Sequence, residues 1–346
     1  MILICNRFLF KNDIFYYRDK KYKIDNSFKI YLIIHQKGSL RIRRNNCLKW
    51  KKLGQIFFME DQNYKLRSHA SNPLALHLES DIYRVFFSGR DAENRSSVSF
   101  VDIDIKKKEI IYNHQVPIFT FGPKNSFYSH GVSIGNIYST YNVQYMLFMG
   151  WHIPNDAHWR CNIGRLCVVD NINLILDPKT PFIAIDKEDP LSLSYPWVVF
   201  HKGIYKLWYG STITWDAGNG EMIHVIKHAT SNDGKNWKKH GISIPYEIDI
   251  AQAFSRPSII IDNKGYHMWF SYRNGKGTKY RIGYAFSDDG LNWENQLDRV
   301  GIDVSSSGWD SEMICYPFVF DHKEKRYMLY NGNRFGKDGI GLAIAV

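Results

Sequence analysis

Asp310 and Glu312 stand two residues apart in the segment GWDSEMICYP, residues 308–317. On an extended chain alternate side chains share a side, so both carboxylates would face one way just ahead of an apolar run. A carboxylate held beside a bound ligand can move protons, and this pair forms the candidate catalytic set. Basic side chains accompany it at regular places. Arg90, His152, Arg273 and Arg334 each follow a tyrosine by seven residues, and Thr212 occupies the fifth such place. Arg67, His69, His130, Tyr195 and Arg256 stand ahead of apolar runs. A guanidinium fork matches the oxygens of carboxylate and phosphate, so these positions point to a pocket for an anionic or strongly polar ligand. Trp151 and Trp309 add flat faces on which a ring could stack, in company with Tyr128, Trp159, Trp215 and Tyr272.

Other chemistry is signalled more weakly. Glu221, in GNGEMIH, is a second candidate acid. Asp102 and Asp104 imitate the D-x-D pattern of metal–nucleotide sites but end an apolar run. GKGTK at 275–279 lacks the spacing of a phosphate loop. His224 and His228 lie four apart in a strand-like stretch, where they do not converge as they would on a helix. No metal or cofactor is expected from these patterns.

The elements that must position these residues repeat. YRVFFS, YMLFMG, YKLWYG, YHMWFS and YMLYNG begin at Tyr83, Tyr145, Tyr205, Tyr266 and Tyr327, 60 to 62 residues apart. Around Tyr266 the unit reads as three strands, at 256–262, 266–273 and 280–287, separated by NKG and NGKG turns and closed by DDGLNW. Pro73, Pro196, Pro257 and Pro317 open the first strands, where a missing N–H is tolerated, and Ser133 fills the remaining place. SNDGKNW recurs as SDDGLNW. Such a period predicts an all-β fold, a five-bladed β-propeller of four-stranded antiparallel blades over 41–346, with 1–40 as an extension outside the repeat. The last unit stops at GIGLAIAV without a fourth strand, so the stretch near Lys49–Leu53 is expected to supply it. One end of each meander, where first strands begin and second strands finish, then gathers the residues named above. The stretch 28–35 reads as one further strand outside the repeat.

Bulk composition agrees with a repeat protein rich in buried rings. Aromatics make up 15% of 346 residues, and 45 Lys and Arg against 34 Asp and Glu leave a net charge of +11. A basic surface attracts nucleic acid, anionic membrane or phosphorylated small molecules, but no nucleic-acid module is present in the sequence. Much of the excess lies in the first 65 residues. Cys5, Cys47, Cys161, Cys167 and Cys315 are odd in number and contain no C-x-x-C pair, which predicts reduced thiols. The start of the chain is a poor signal peptide and no apolar run is long enough to span a bilayer. A cytoplasmic protein is the expectation.

The blade hexamer, the S-x-D-G-x-x-W turns and the period resemble the five-bladed propeller glycosidases over residues 45 to 346. That superfamily includes invertases and levanases, arabinanases and xylosidases, and mannoside phosphorylases. Its hydrolases carry an acidic triad, and this chain departs from the pattern. Asn72 stands before Pro73 where an invertase-like Asp would be, Ser129-His130-Gly131 occupies the second place, and Ser194 replaces the Glu of the third. The resemblance, with the arginines, implies a carbohydrate-active enzyme performing glycosyl transfer or phosphorolysis on an anionic or phosphorylated sugar, in the manner of polysaccharide biosynthesis. Its partners would be a sugar, a sugar phosphate or an oligosaccharide. A non-catalytic glycan-binding propeller and a hydrolase with a displaced carboxylate pair are the alternatives.

Overall fold

The computed structural model describes residues 48–61, 63–154 and 157–346, and before them only the strands named next. The chain divides into two units, Met1–Leu48 and Lys49–Val346. In the first, β1 (Phe10–Lys11), β2 (Ile14–Tyr17) and β3 (Lys20–Lys23) form a small antiparallel sheet, and β4 (Tyr31–Ile34) pairs with β5 (Leu40–Arg43).

The second unit is nearly all β-structure, opening with β6 (Trp50–Phe57). Four-strand meanders follow. The first comprises β7 (Ser68–Glu79), β8 (Ile82–Arg90), β9 (Ser96–Asp104) and β10 (Glu109–Asn113). The second comprises β11 (Gly131–Thr140), β12 (Val143–His152), β13 (Arg160–Val169) and β14 (Asn173–Leu176). The third is β15 (Leu193–His201), β16 (Ile204–Thr214), β17 (Ile223–Ser231) and β18 (Lys238–Ile242). The fourth is β19 (Ser255–Asp262), β20 (Gly265–Tyr272), β21 (Arg281–Ser287) and β22 (Glu294–Asn295). The last has β23 (Cys315–His322), β24 (Lys325–Asn331) and β25 (Ile340–Ala345) in sequence, and takes its fourth strand from β6. Ala345 faces Trp50 and Ile340 faces Phe57, so the joining strand runs past Leu53, where the sequence reading ends it.

The first two meanders are not separate sheets. A parallel bridge between Gly131 and Ser96 joins them into one of eight strands, while the other three sheets have four. The cause is local: Ser96 donates its amide to His130 O at 3.1 Å, and its Oγ accepts the Val132 amide at 2.9 Å. First strands contact one another in turn, β7 with β11, β11 with β15, β15 with β19, β19 with β23, and β23 with β7.

The repeated tyrosine has a packing reason. Tyr83 sets its ring 4.9 Å from Phe320 and lies 2.9 Å from His322 Nδ1, across the first and last meanders. Tyr205 meets Tyr138 of the second, and Tyr266 meets His201 of the third. One aromatic per unit thus seals each of these seams with a large buried area. The S-x-D-G turns dock on the same rings. Asp289 Oδ1 accepts the amides of Leu291 and Asn292, both at 2.8 Å, which bends the chain so that Gly290 adopts φ +75°. A Cβ at Gly290 would lie 2.8 Å from the Tyr266 ring, so the glycine answers both a left-handed backbone and a close approach.

Candidate functional site

The residue ahead of each repeat proline bends its strand. Asn72, Tyr195, Arg256 and Tyr316 have φ of 58°, 30°, 49° and 54°. The strand register slips at each of these points, between Ser71 and Leu74, Ser194 and Trp197, Ser255 and Ser258, and Cys315 and Phe318. Left-handed backbone is costly for non-glycine residues, and a following proline favours extended conformations instead. Four such residues at matched places mark strain of the kind found at ligand sites. The bulges re-aim these side chains at the start of the first strands.

There the described residues enclose a cavity of about 340 Å³. Asn72, Tyr195 and Tyr316 line it, with Arg90 and Arg273 from the ends of the second strands. No Asp or Glu lines it among the described residues. Glu221 lies just behind: its Oε1 accepts a hydrogen bond from Arg273 Nη2 at 2.8 Å, and the Arg273 guanidinium also lies 4.9 Å from the centre of the Tyr280 ring. Burial raises the hydroxyls of Tyr280, to about 12, and of Tyr316, so both stay protonated donors at neutral pH. Asn72 Oδ1 is buried and has no hydrogen-bond partner among the described residues. Trp151 and Trp159 form apolar wall, the former donating its Nε1–H to Ser96 Oγ at 3.1 Å.

One polar chain enters the cavity from the third meander. Ser194 Oγ lies 2.6 Å from His224 Nε2, and His224 Nδ1 lies 2.8 Å from Thr212 Oγ1. Burial, then the charge of Arg273, lowers the His224 pKa to about 4, so its ring is neutral. A Cβ at Gly210 would stand 2.0 Å from Ser194 Oγ and 2.4 Å from His224 Nε2. The side chain missing at Gly210 is what lets this pair meet.

Of the residues that the sequence offers for binding or catalysis, Arg90, Trp151, Trp159, Tyr195, His224 and Arg273 come together at this cavity. The others stand outside its lining. Arg256 is fully buried and donates to Ile134 O and to Pro73 O, tying three first strands together; burial pulls its pKa down to about 10, and it remains charged. His69 is buried, and its pKa falls to about 3 through burial and then the charges of Arg90, Lys337 and Arg334. Arg67 is exposed, 3.6 Å from Asp61. His130 accepts the Ile153 amide, and burial lowers the His152 pKa. Trp309 stacks on Tyr330 and packs against Gly332 and Gly341, outside the cavity lining. Arg334 pairs with Asp338 at the surface. Asp310 is buried against Lys52 Nζ at 2.7 Å and the Tyr330 hydroxyl at 3.0 Å. Glu312 does not share its side: its side chain is exposed, its amide donates to Asn333 Oδ1, and its carbonyl accepts from Arg281.

Sequence reasoning missed Tyr316 and the Ser194–His224–Thr212 chain. Tyr316 was legible, since it precedes its proline as Tyr195 and Arg256 precede theirs. The chain had no local signal, because its members lie on three strands. Asp102 is accounted for by its bidentate pair with Arg84. No group of three or more His, Cys, Asp or Glu able to hold a metal occurs among the described residues, and none of their helices is long and apolar enough to cross a membrane.

Comparisons with known proteins agree with this architecture. Residues 189–342 match the family model described as Glycosyl hydrolases family 32 N-terminal domain. The uncharacterized protein Rv1502 of Mycobacterium tuberculosis (strain ATCC 25618 / H37Rv) is 40% identical over 297 residues, covering 85% of this chain and 98% of that protein. A solved glycoside hydrolase superposes with a TM-score of 0.67 at 14% identity, over 86% of this chain and 92% of its own. Another solved structure comes from the GH130 family of mannoside phosphorylases, which contains glycoside hydrolases that target beta-1,2 mannosidic linkages in Candida mannan. It superposes with a TM-score of 0.61 at 16% identity, over 86% of this chain and 93% of its own.

Proposed function

The chain belongs to the propeller glycosidase superfamily as a divergent member, in one family with the mycobacterial protein, and we propose that its five meanders are blades of a five-bladed propeller whose cavity binds an anionic or phosphorylated sugar for glycosyl transfer or phosphorolysis. The observation that carries this reading is the charge of the cavity. Arg90 and Arg273 line it, and no carboxylate of the described residues does.

Hydrolysis by the usual route needs two carboxylates across the glycosidic bond. Asn72 and Ser194 stand where the resembled hydrolases carry Asp and Glu, so that route has neither partner in place. With phosphate as nucleophile or leaving group, the ligand itself brings the second acidic group. Only one proton on the sugar oxygen then remains for the protein to handle. Glu312 is assigned that role, because it is an exposed carboxylate on the segment bonded to Asn333, two residues before the cavity-lining Phe335. Asp310 is assigned a structural role beside it.

The test is calorimetric titration with glycosyl phosphates, uronic acids and neutral oligosaccharides, followed by turnover assays on the ligands that bind. Charged sugars are expected to bind at least tenfold more tightly than neutral ones. Glu312→Gln is expected to lower turnover by about a hundredfold or more while affinity stays within twofold. Equal affinity for neutral and charged sugars, or full activity of Glu312→Gln, would remove the reading.

A second reading is favoured by the same missing acids: a glycan-binding propeller without turnover. It predicts tight binding of a charged sugar and no product at any enzyme concentration. We also place the chain in the cytoplasm, since Cys161, Cys167 and Cys315 are free thiols and suit a reducing compartment. Cell fractionation that finds it elsewhere would withdraw that placement.

A further inference from the structure

Ser194, His224 and Thr212 are connected in line, from a hydroxyl within the third meander to a hydroxyl on the cavity wall. We infer that this line is a neutral donor relay ending on the bound anion: Thr212 donates to His224 Nδ1, His224 Nε2–H donates to Ser194 Oγ, and Ser194 O–H donates to an anionic oxygen. The inference rests on the anionic reading of the cavity and adds a neutral donor that receives the anion beside the arginines.

Three observations support this direction over its reverse. First, the reverse polarity would turn a Ser194 lone pair toward the cavity, and a lone pair repels the anion that Arg90 and Arg273 attract. Second, Arg273 lies on the same cavity and disfavours a second positive charge on His224. A neutral ring that passes a hydrogen bond along, without gaining a proton, fits such a place. Third, Gly210 keeps the space that the Ser194–His224 pair occupies, so the contact belongs to the shape of the strand pair. Each hydrogen bond in such a line polarises the next in a buried setting. The chain therefore delivers a stronger donor than an isolated serine would. Ser194 is the group that touches the ligand, and Thr212 is a positioning residue that acts through His224.

The probe is inorganic phosphate titrated into the full chain by calorimetry, with acetate as a second anion. Ser194→Ala is expected to weaken phosphate binding about tenfold or more, as for a lost hydrogen bond to a charged group. Thr212→Val does not reach the ligand, yet is expected to weaken it about threefold. Nitrogen-15 NMR of the unsubstituted chain gives an independent measurement that no folding defect can obscure. With phosphate bound, His224 should be the Nε2–H tautomer. Wild-type phosphate affinity in Ser194→Ala, or an Nδ1–H tautomer in the complex, would overturn the relay and leave the anionic reading standing. Failure of the unsubstituted chain to bind either anion would overturn both.

Discussion

Arg90 carries a guanidinium to which no carboxylate of the described residues is paired, on the wall of a cavity with no lining acid. A half-buried cation without a counterion has lost hydration and gained nothing in return, so an incoming anion relieves it. Arg273 differs, because Glu221 already holds one of its nitrogens. Arg90 is therefore the more sensitive handle on affinity. Arg90→Gln is expected to weaken binding of a charged sugar or of phosphate by about tenfold to a hundredfold, with a melting temperature equal to or above that of the parent. A parallel loss of affinity and melting temperature would mean that Arg90 supports the fold instead. Residue types at this site were readable from the sequence; their partners were not. Asp310 and Glu312 look equivalent in GWDSEMICYP, yet one is buried against Lys52 and the other is exposed. The lysine that separates their fates lies 258 residues away in the chain.

The strands were legible for a reason that belongs to the element scale. The units seal seams with one ring, and four of the five carry a proline just past the bulge of the first strand rather than at the strand's first residue, where the sequence reading puts it, so the same residue types return at the same spacing. The bulge ahead of each proline carried no such signal, since φ is not written in residue type unless the residue is glycine. The joining strand β6 was half visible: its place was expected from the missing fourth strand, while its length was set by pairing out to Phe57. Its anchor is the Lys52–Asp310 pair, in which Asp310 is almost fully buried and Lys52 also reaches Ser305 Oγ at 3.0 Å. Removing one partner of such a pair strands the other charge. Lys52→Ala is expected to cost about 3 kcal/mol in denaturant unfolding. Lys52→Met combined with Asp310→Asn should recover a good part of it. A loss below about 1 kcal/mol for the single substitution would mean that β6 is held by its ladder alone.

Taken as a whole, the molecule stores its acid sensitivity in buried histidines. His69, His224 and His228 each have folded pKa values well below 6.5, at about 3, 4 and 4, with burial the first cause in all three. Positive neighbours add to it: Arg90, Lys337 and Arg334 at His69, Arg273 at His224, and His240 and Lys206 at His228. The unfolded chain takes up these protons near pH 6.5, while the folded chain refuses them until pH 3 to 4. Between those limits the unfolded state binds more protons, so stability falls as pH falls, by up to about 1.4 kcal/mol per pH unit for each histidine. The buried carboxylate Asp189 behaves differently. Burial works against its charge, but Lys227, Lys239 and Ser211 hold its pKa down to about 2, so it stays ionised through the same window and its contribution is lost only below about pH 4. The melting temperature is therefore expected to drop steadily from pH 7 to pH 5, before any carboxylate in the core is protonated. His228 lies away from the cavity, stacked between Trp208 and His240, and His228→Gln should make that slope shallower without changing phosphate affinity. A melting temperature that is level from pH 7 to pH 5 would show that these rings take up protons in the folded chain as readily as in the unfolded one, and the neutral state assigned to His224 would fall with it.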